Sequence, residues 1–233
     1  MTDLPGGAQV RKLPALRCSR DGRPVRVRTK ICGVTSVEDG LAAAAAGCDA
    51  VGLNFVPSSP RCVSVETARD IADALPPLVT RVGVFVDAAP ADVERVLETV
   101  PLELLQFNGD EDDAACGRFG LPYLKAVGVR TGFCIASLEE GYPTARGFLL
   151  DTHDPIARGG TGRAFDWSLW PASARRPLVL AGGLTPDNVG AAIRRLHPYG
   201  VDVSSGVEGG ARGVKSDAKV RAFVAEVQRA ALQ

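Results

Sequence analysis

Eight short runs of branched and aliphatic residues, each separated from the next by enough chain to cross over, constrain this sequence more than any other feature. They are Val27 to Gly33, Ala50 to Phe55, Arg81 to Val86, Leu102 to Phe107, Tyr123 to Val127, Gly147 to Asp151, Leu178 to Ala181 and Val201 to Ser204. Each reads as a strand, and the stretches between them read mostly as helices. Parallel strands cannot be joined by tight turns, so strand and helix alternating in this way imply a parallel sheet covered by helices. Eight such units are the number that closes the sheet on itself. A chain of 233 residues suits one barrel of that kind, which typically takes about 250. The expected fold is therefore a single (β/α)8 barrel, with an open doubly wound sheet as the alternative.

Helix boundaries are written in the same segments. Ser36 precedes Val37 to Ala46, Ser64 precedes Val65 to Leu75, and Asp110 precedes Glu111 to Phe119. Thr185 precedes Pro186 to Leu196, and a cap near Ser216 precedes Asp217 to Ala231. Ser, Thr and Asp accept from the free N–H groups of a first helical turn, and Pro suits the first helical position. A third helix is expected over Ala91 to Val100, with short fifth and sixth helices near Ser137 to Glu140 and Asp166 to Trp170. Gly47 and Gly120 are the expected stops. Residues 1–25, rich in Gly, Pro and Arg without periodicity, are expected to form a flexible tail ahead of a catalytic domain over residues 26–233.

Charge and cysteine usage exclude several classes of function. Lys+Arg and Asp+Glu balance at 27 each, so no global field draws the chain to nucleic acid or an acidic membrane, and any anion must be held locally. The cysteines at 18, 32, 48, 62, 116 and 134 form no CxxC pair, and two histidines offer little to a zinc site. No structural metal is expected. The basic N-terminal segment has no apolar run of the signal type, and no run is long enough to span a bilayer. A reduced, cytoplasmic protein is the expectation.

Active sites of barrels lie at the C-terminal ends of the strands, so polar residues placed there are the candidates. Along the first strand, alternation puts Lys30 and Cys32 on one face and Ile31 on the other; if Ile31 meets the helices, Cys32 faces the mouth. An unpaired cysteine is more often a small buried hydrophobe. Asp151 ends the apolar run Phe148 to Leu150, where a turn residue would also fit. Three steps apart on an eight-strand ring, the two would face each other across the mouth, an arrangement suited to one acid and one base. After the last two strands, Gly182, Gly183, Ser205 and Gly206 would let backbone N–H groups approach a phosphate. A third glycine-rich stretch, Gly159, Gly160, Thr161 and Gly162, lengthens that wall or serves as a cover.

Eight motifs, in seven stretches that follow one another in order, then carry a specific resemblance. They are KICGVT from Lys30, VGLNF and SPRCVS within Val51 to Ser64, LQFNGDE from Leu105, LLDT from Leu149, GGTGRAFDW from Gly159, LAGGLTPDNV from Leu180 and VDVSSGVE from Val201. Together they resemble the phosphoribosylanthranilate isomerase family of tryptophan biosynthesis, whose Amadori rearrangement needs no cofactor. The resemblance implies a small phosphoribosylated substrate, Cys32 as general base and Asp151 as general acid. It implies that Arg61 holds a carboxylate with its planar guanidinium and that Asp202 lies near the sugar. Lys30, Gln106 and Asn108 complete the expected substrate-binding set. These roles require the carboxyl pKa to be raised and the thiol pKa lowered, with Lys30 as the source of the second shift. Asn108 stands where the family usually has His, which leaves a related isomerase of another phosphoribosyl amine, histidine-pathway or aromatic, as the alternative. A histidine-pathway enzyme would pair two aspartates. A non-catalytic phosphate-binding protein would not need both Cys32 and Asp151.

Overall fold

The computed structural model describes residues 26–152 and 166–232. The expected N-terminal tail and the Gly159 to Gly162 stretch lie outside the described residues. Eight strands run β1 (Arg28–Cys32), β2 (Ala50–Asn54), β3 (Thr80–Phe85), β4 (Leu104–Phe107), β5 (Tyr123–Val129), β6 (Gly147–Thr152), β7 (Leu178–Leu180) and β8 (Gly200–Val203). All neighbours pair in parallel in the order of the sequence, and β1 pairs with β8, with Ile31 opposite Val203. That last ladder closes the ring, and the open-sheet alternative is thereby excluded.

The helices are α1 (Val37–Ala45), α2 (Val65–Ala74), α3 (Pro90–Thr99), α4 (Asp113–Gly117), α5 (Ile135–Gly141), α6 (Val189–Leu196) and α7 (Asp217–Ala230). Ser36, Ser64 and Ser216 cap α1, α2 and α7, each accepting from the N–H three residues on. Gly47 follows α1 with φ +93°, as a left-handed stop should.

Two helix starts differ from expectation. The fourth begins at Asp113, capped by Asp112, because Asp110 and Glu111 are drawn into the loop before it: Asp110 N–H donates to Asp87, and Glu111 accepts from Asp87 N–H and Lys125. The helix after β7, α6, begins at Val189 instead of Pro186. Asn188 Oδ1 accepts from Thr185 N–H, and Nδ2 donates to Gly183 O, which holds residues 186–188 in a turn. The short helix expected near Asp166 is a single 3-10 turn, Trp167–Leu169.

Alternate strand residues separate two environments. Ile31, Val51, Leu53, Leu105, Phe148, Leu150 and Val201 point outward and are fully buried against helix residues such as Ile71, Val189, Val220 and Phe223. Each aliphatic side chain so buried stabilises the fold by about 1.5–3 kcal/mol. Inside the barrel the apolar residues are fewer: Ala126, Leu149 and Ala181 form a separate cluster, and Val82 and Val84 of β3 share the inward phase. Lys30, Gln106 and Asp202 are also buried, and their strand phase faces them into the barrel. Polar groups there are what a site can be built from.

Candidate active site

At the C-terminal ends of β6, β7 and β8 lies a cleft lined by Asp151, Ala181, Gly182, Gly183, Leu184, Asp202, Val203, Ser204, Ser205 and Gly206. All four expected phosphate residues are in its wall, together with the expected acid and Asp202. Gly182 and Gly183 have φ of +88° and +62°, which turns the chain sharply at the strand end. A Cβ on Gly206 would fall 1.8 Å from Leu184 O, so only glycine lets the loop after β8 pack on the loop after β7. Beyond β8 the chain enters a 3-10 turn, Ser205–Val207, whose first N–H groups have no partner within the turn. The cleft thus offers glycine backbone and open N–H groups to an anion.

Cys32 and Lys30 stand on the other side of β8. Ile31 packs outward at zero exposure, so the alternation expected for β1 holds, and Lys30 Nζ donates to Asp202 Oδ1 at 2.8 Å within the barrel. Gly52 on β2 makes room for the pair of residues from β1: a Cβ there would lie 3.0 Å from both Cys32 Sγ and Lys30 Nζ. Ser204 Oγ donates to Cys32 O at 3.0 Å and ties the end of β1 to β8.

The electrostatics correct one expectation. Burial pushes the Cys32 thiol above its ordinary value; Lys30 pulls it down, as expected, but Asp202 opposes that pull and burial dominates. Burial would lower Lys30, yet Asp202 and Cys32 together raise it, so its ammonium is secure. The net direction for the thiol is therefore up, not down, because burial outweighs the pull of Lys30, which Asp202 partly offsets.

Arg61 reaches the mouth from the loop after β2. Ser59 Oγ accepts from Arg61 N–H and from Asn54 Nδ2, which fixes that loop. The Arg61 side chain lies over Gly33, whose φ is +67° and whose Cβ would fall 2.4 Å from Arg61 Cδ. Its guanidinium donates twice to Glu208, from Nε at 2.6 Å and from Nη2 at 3.2 Å. Lys215 Nζ meets the same carboxylate at 3.3 Å and donates to Ser204 O at 3.2 Å.

The profile of the family described as N-(5'-phosphoribosyl)anthranilate (PRA) isomerase matches residues 29–226. The chain belongs to the N-(5'-phosphoribosyl)anthranilate isomerase family. It is 55% identical to the N-(5'-phosphoribosyl)anthranilate isomerase of Pseudomonas fluorescens over 203 residues, covering 87% of this chain and 96% of that one. It is similar to the solved phosphoribosyl anthranilate isomerase of Thermotoga maritima, with 41% identity, a TM-score of 0.78 and coverage of 87% and 99%. A further phosphoribosyl anthranilate isomerase structure, in complex with reduced 1-(o-carboxyphenylamino)-1-deoxyribulose 5-phosphate, is 40% identical, with a TM-score of 0.75 and coverage of 87% and 99%.

Within this phosphoribosylanthranilate isomerase fold, Gln106 and Asn108 sit at the end of β4, apart from the residues that line the cleft. Gln106 Nε2 donates to Asn108 Oδ1 at 2.9 Å, which fixes the orientation of the Asn108 amide. Gln106 Oε1 is buried without a hydrogen-bond partner. Glu208 and Lys215 had no role assigned from sequence. Glu208 closes the VDVSSGVE motif and so was visible, whereas Lys215 reaches it only because Glu208 and Lys215 pair across an antiparallel bridge. Nothing in the spacing announces that bridge.

Proposed function

We propose that this chain converts N-(5'-phosphoribosyl)anthranilate to 1-(2-carboxyphenylamino)-1-deoxyribulose 5-phosphate, with Cys32 as general base and Asp151 as general acid. The observation that carries the assignment of roles is the convergence on one barrel mouth. Asp151 on β6 and Cys32 on β1 are three strands apart on the closed ring, and the anion cradle after β7 and β8 lies between them.

The phosphate of the substrate occupies the cradle formed by Gly182, Gly183, Ser205 and Gly206, which sets the ribose between acid and base. Asp151 gives a proton to the ring oxygen as the bond from C1′ to that oxygen breaks, and the nitrogen lone pair forms an open-chain iminium. Cys32 then removes the C2′ proton, and the electrons of that C–H bond flow into the iminium to give an enolamine. Return of that proton to C1′, with the C2′ hydroxyl proton passing to the Asp151 carboxylate, yields the aminoketone and resets both groups. The iminium nitrogen accepts the electrons, so the residues named here complete the proton transfers. Arg61 holds the aromatic carboxylate, Asn108 and Gln106 line the aromatic side, and Asp202 takes part through its hold on Lys30.

The substrate class is a small phosphoribosylated amine, and the setting is the cytoplasm, where the five described cysteines, all free thiols, are stable. Among the described residues no helix is long and apolar enough to cross a membrane. The test is a fluorescence assay of the purified protein with phosphoribosylanthranilate. Time-dependent loss of the substrate signal above the spontaneous rate supports the reading. A folded protein without that activity, but active on another phosphoribosyl amine, sinks it in favour of the relative suggested by Asn108.

A further inference from the structure

Arg61 is not a lone arginine at the mouth. Its Nε and Nη2 edge is occupied by Glu208, with side-chain exposures of only 11% and 8%. A guanidinium offers a second fork, Nη1 with Nη2, and that is the edge left to face a ligand. Such an arrangement carries an electrostatic cost. An arginine already paired with a carboxylate is neutral as a unit and attracts a second carboxylate weakly.

Lys215 resolves this. Its side chain is 1% exposed and its ammonium meets Glu208 Oε1 at 3.3 Å, on the same oxygen that takes Arg61 Nε. Around the group stand Asp39, whose carboxylate accepts Lys215 N–H, Lys219, which donates to Glu208 O from an exposed position, and the thiol of Cys32, which interacts with Lys215 but adds no charge while protonated. Three cations therefore face two carboxylates, and one positive charge remains at the end of β1. The residues come from two distant parts of the chain, Arg61 after β2 and Glu208 with Lys215 after β8, and are anchored on both sides: Gly33 seats Arg61, and Thr35 Oγ1 donates to Gly213 O in the hairpin that carries Lys215.

We propose that Arg61, Glu208 and Lys215 form one preassembled receptor for the substrate's aryl carboxylate, in which Glu208 aims Arg61 and Lys215 restores the positive charge that Glu208 would otherwise cancel. This rests on the proposed function, and specifically on Arg61 as the carboxylate-binding residue. Lys215 is a positioning residue and not a catalytic one: it acts through Glu208 and Arg61. Burial lowers the Lys215 pKa, and Glu208 offsets part of that shift.

The test uses the full-length enzyme and two stable inhibitors, reduced carboxyphenylamino-deoxyribulose phosphate and the same compound without the aryl carboxylate. Lys215→Met should raise KM and the inhibition constant of the carboxylated compound roughly tenfold, a loss of about 1.4 kcal/mol. The constant for the compound without carboxylate should move less than twofold, and kcat should change less than KM. Lys215→Arg should recover most of the loss. Glu208→Gln frees Arg61 from its anchor and should also weaken the carboxylated compound selectively. If Arg61→Met weakens both inhibitors equally, the carboxylate role of Arg61 fails and the proposed function must be revised. If Arg61→Met is selective but a folded Lys215→Met enzyme weakens both compounds equally or neither, the inference alone is overturned. Should Lys215→Met not fold, Lys215→Gln and the salt dependence of inhibition decide: loss of selectivity for the carboxylated compound supports the receptor, and retained selectivity overturns it.

Discussion

Two buried lysines on opposite sides of the barrel make the same bond and serve different ends. Lys30 on β1 meets Asp202 at 2.8 Å, and Lys125 on β5 meets Glu111 at 2.8 Å, all four side chains under 10% exposed. Lys30 points into the barrel beneath Cys32. Lys125 has the opposite phase, being in register with Phe107 and Phe148 of the outer core. There it donates to Gly109 O as well, and Glu111 holds Asp87 N–H, so the loops after β3 and β4 are pinned to β5. Tyr142 adds its ring face to the same ammonium. The lesson is that a buried ion pair by itself says nothing of function. What distinguishes the two is the side they face: Lys30 lies inside the barrel with Cys32 at the strand end, whereas Lys125 lies among the helices, near the buried Cys116 and bonded to backbone.

The contrast can be attacked directly. The largest effect expected is on the thiol side: Cys32→Ala and Asp151→Asn should each lower kcat by about 10²- to 10⁴-fold. Binding of a product analogue should stay within roughly tenfold, and folding should be intact by circular dichroism. Near-parental turnover in Cys32→Ala would make the thiol a packing residue and move the search for the base to Asp202. Next, Lys30→Met and Lys125→Met each leave a carboxylate buried and unpaired, a defect of about 3–5 kcal/mol, which urea unfolding would measure. The two should cost alike, and only Lys30→Met should lower turnover strongly at a temperature where both are folded. Equal activity losses would erase the distinction.

A smaller effect sharpens it. Because the Cys32 pKa is raised in the free enzyme, kcat/KM should climb with pH through a limb alkaline of the ordinary thiol range. Removing Lys30 withdraws the larger of the two cationic influences that hold the thiol down, Lys215 being the smaller, so Lys30→Met should move that limb further alkaline, whereas Lys125→Met should leave it in place. A limb that ignores Lys30 would show that another base is being titrated. Smallest of all, Ser64→Ala removes the α2 cap, remote from both lysines. It should cost about 1 kcal/mol, add to either lysine variant within about 0.5 kcal/mol, and leave kinetics unchanged.

How much of this was legible beforehand depended on how local the signal is. All eight strands and the caps Ser36, Ser64 and Ser216 are written in neighbouring residues, and the structure places them within a few residues of expectation. The direction of Cys32 follows from the phase of β1. The start of α4 was misplaced because Asp110 and Glu111, good cap residues by type, are used by Asp87 and Lys125, which are distant in sequence. The turn at residues 186–188 hides for a similar reason, since it depends on where Gly183 O lies. The shift of Cys32 went the other way because it is a balance between burial and two opposed charges, and no pattern of residue types reports burial depth. Glu208 could be seen in its motif, but its partner could not.

One feature of the ring bears on how the enzyme comes into being during synthesis. The strand that carries Cys32 is the first made, and the ladder that completes the barrel joins it to the last. Lys30 and Asp202 are 172 residues apart, and Arg61 and Glu208 are 147 apart. A nascent chain therefore carries Cys32, Arg61 and Asp151 before the segment that pairs with Lys30 and Arg61 leaves the ribosome. Until then Lys30 has no anion to rest against, and β1 has an open edge. Contacts so distant in sequence form late and slowly, so chains that stop short of β8 should be inactive and prone to associate through that edge.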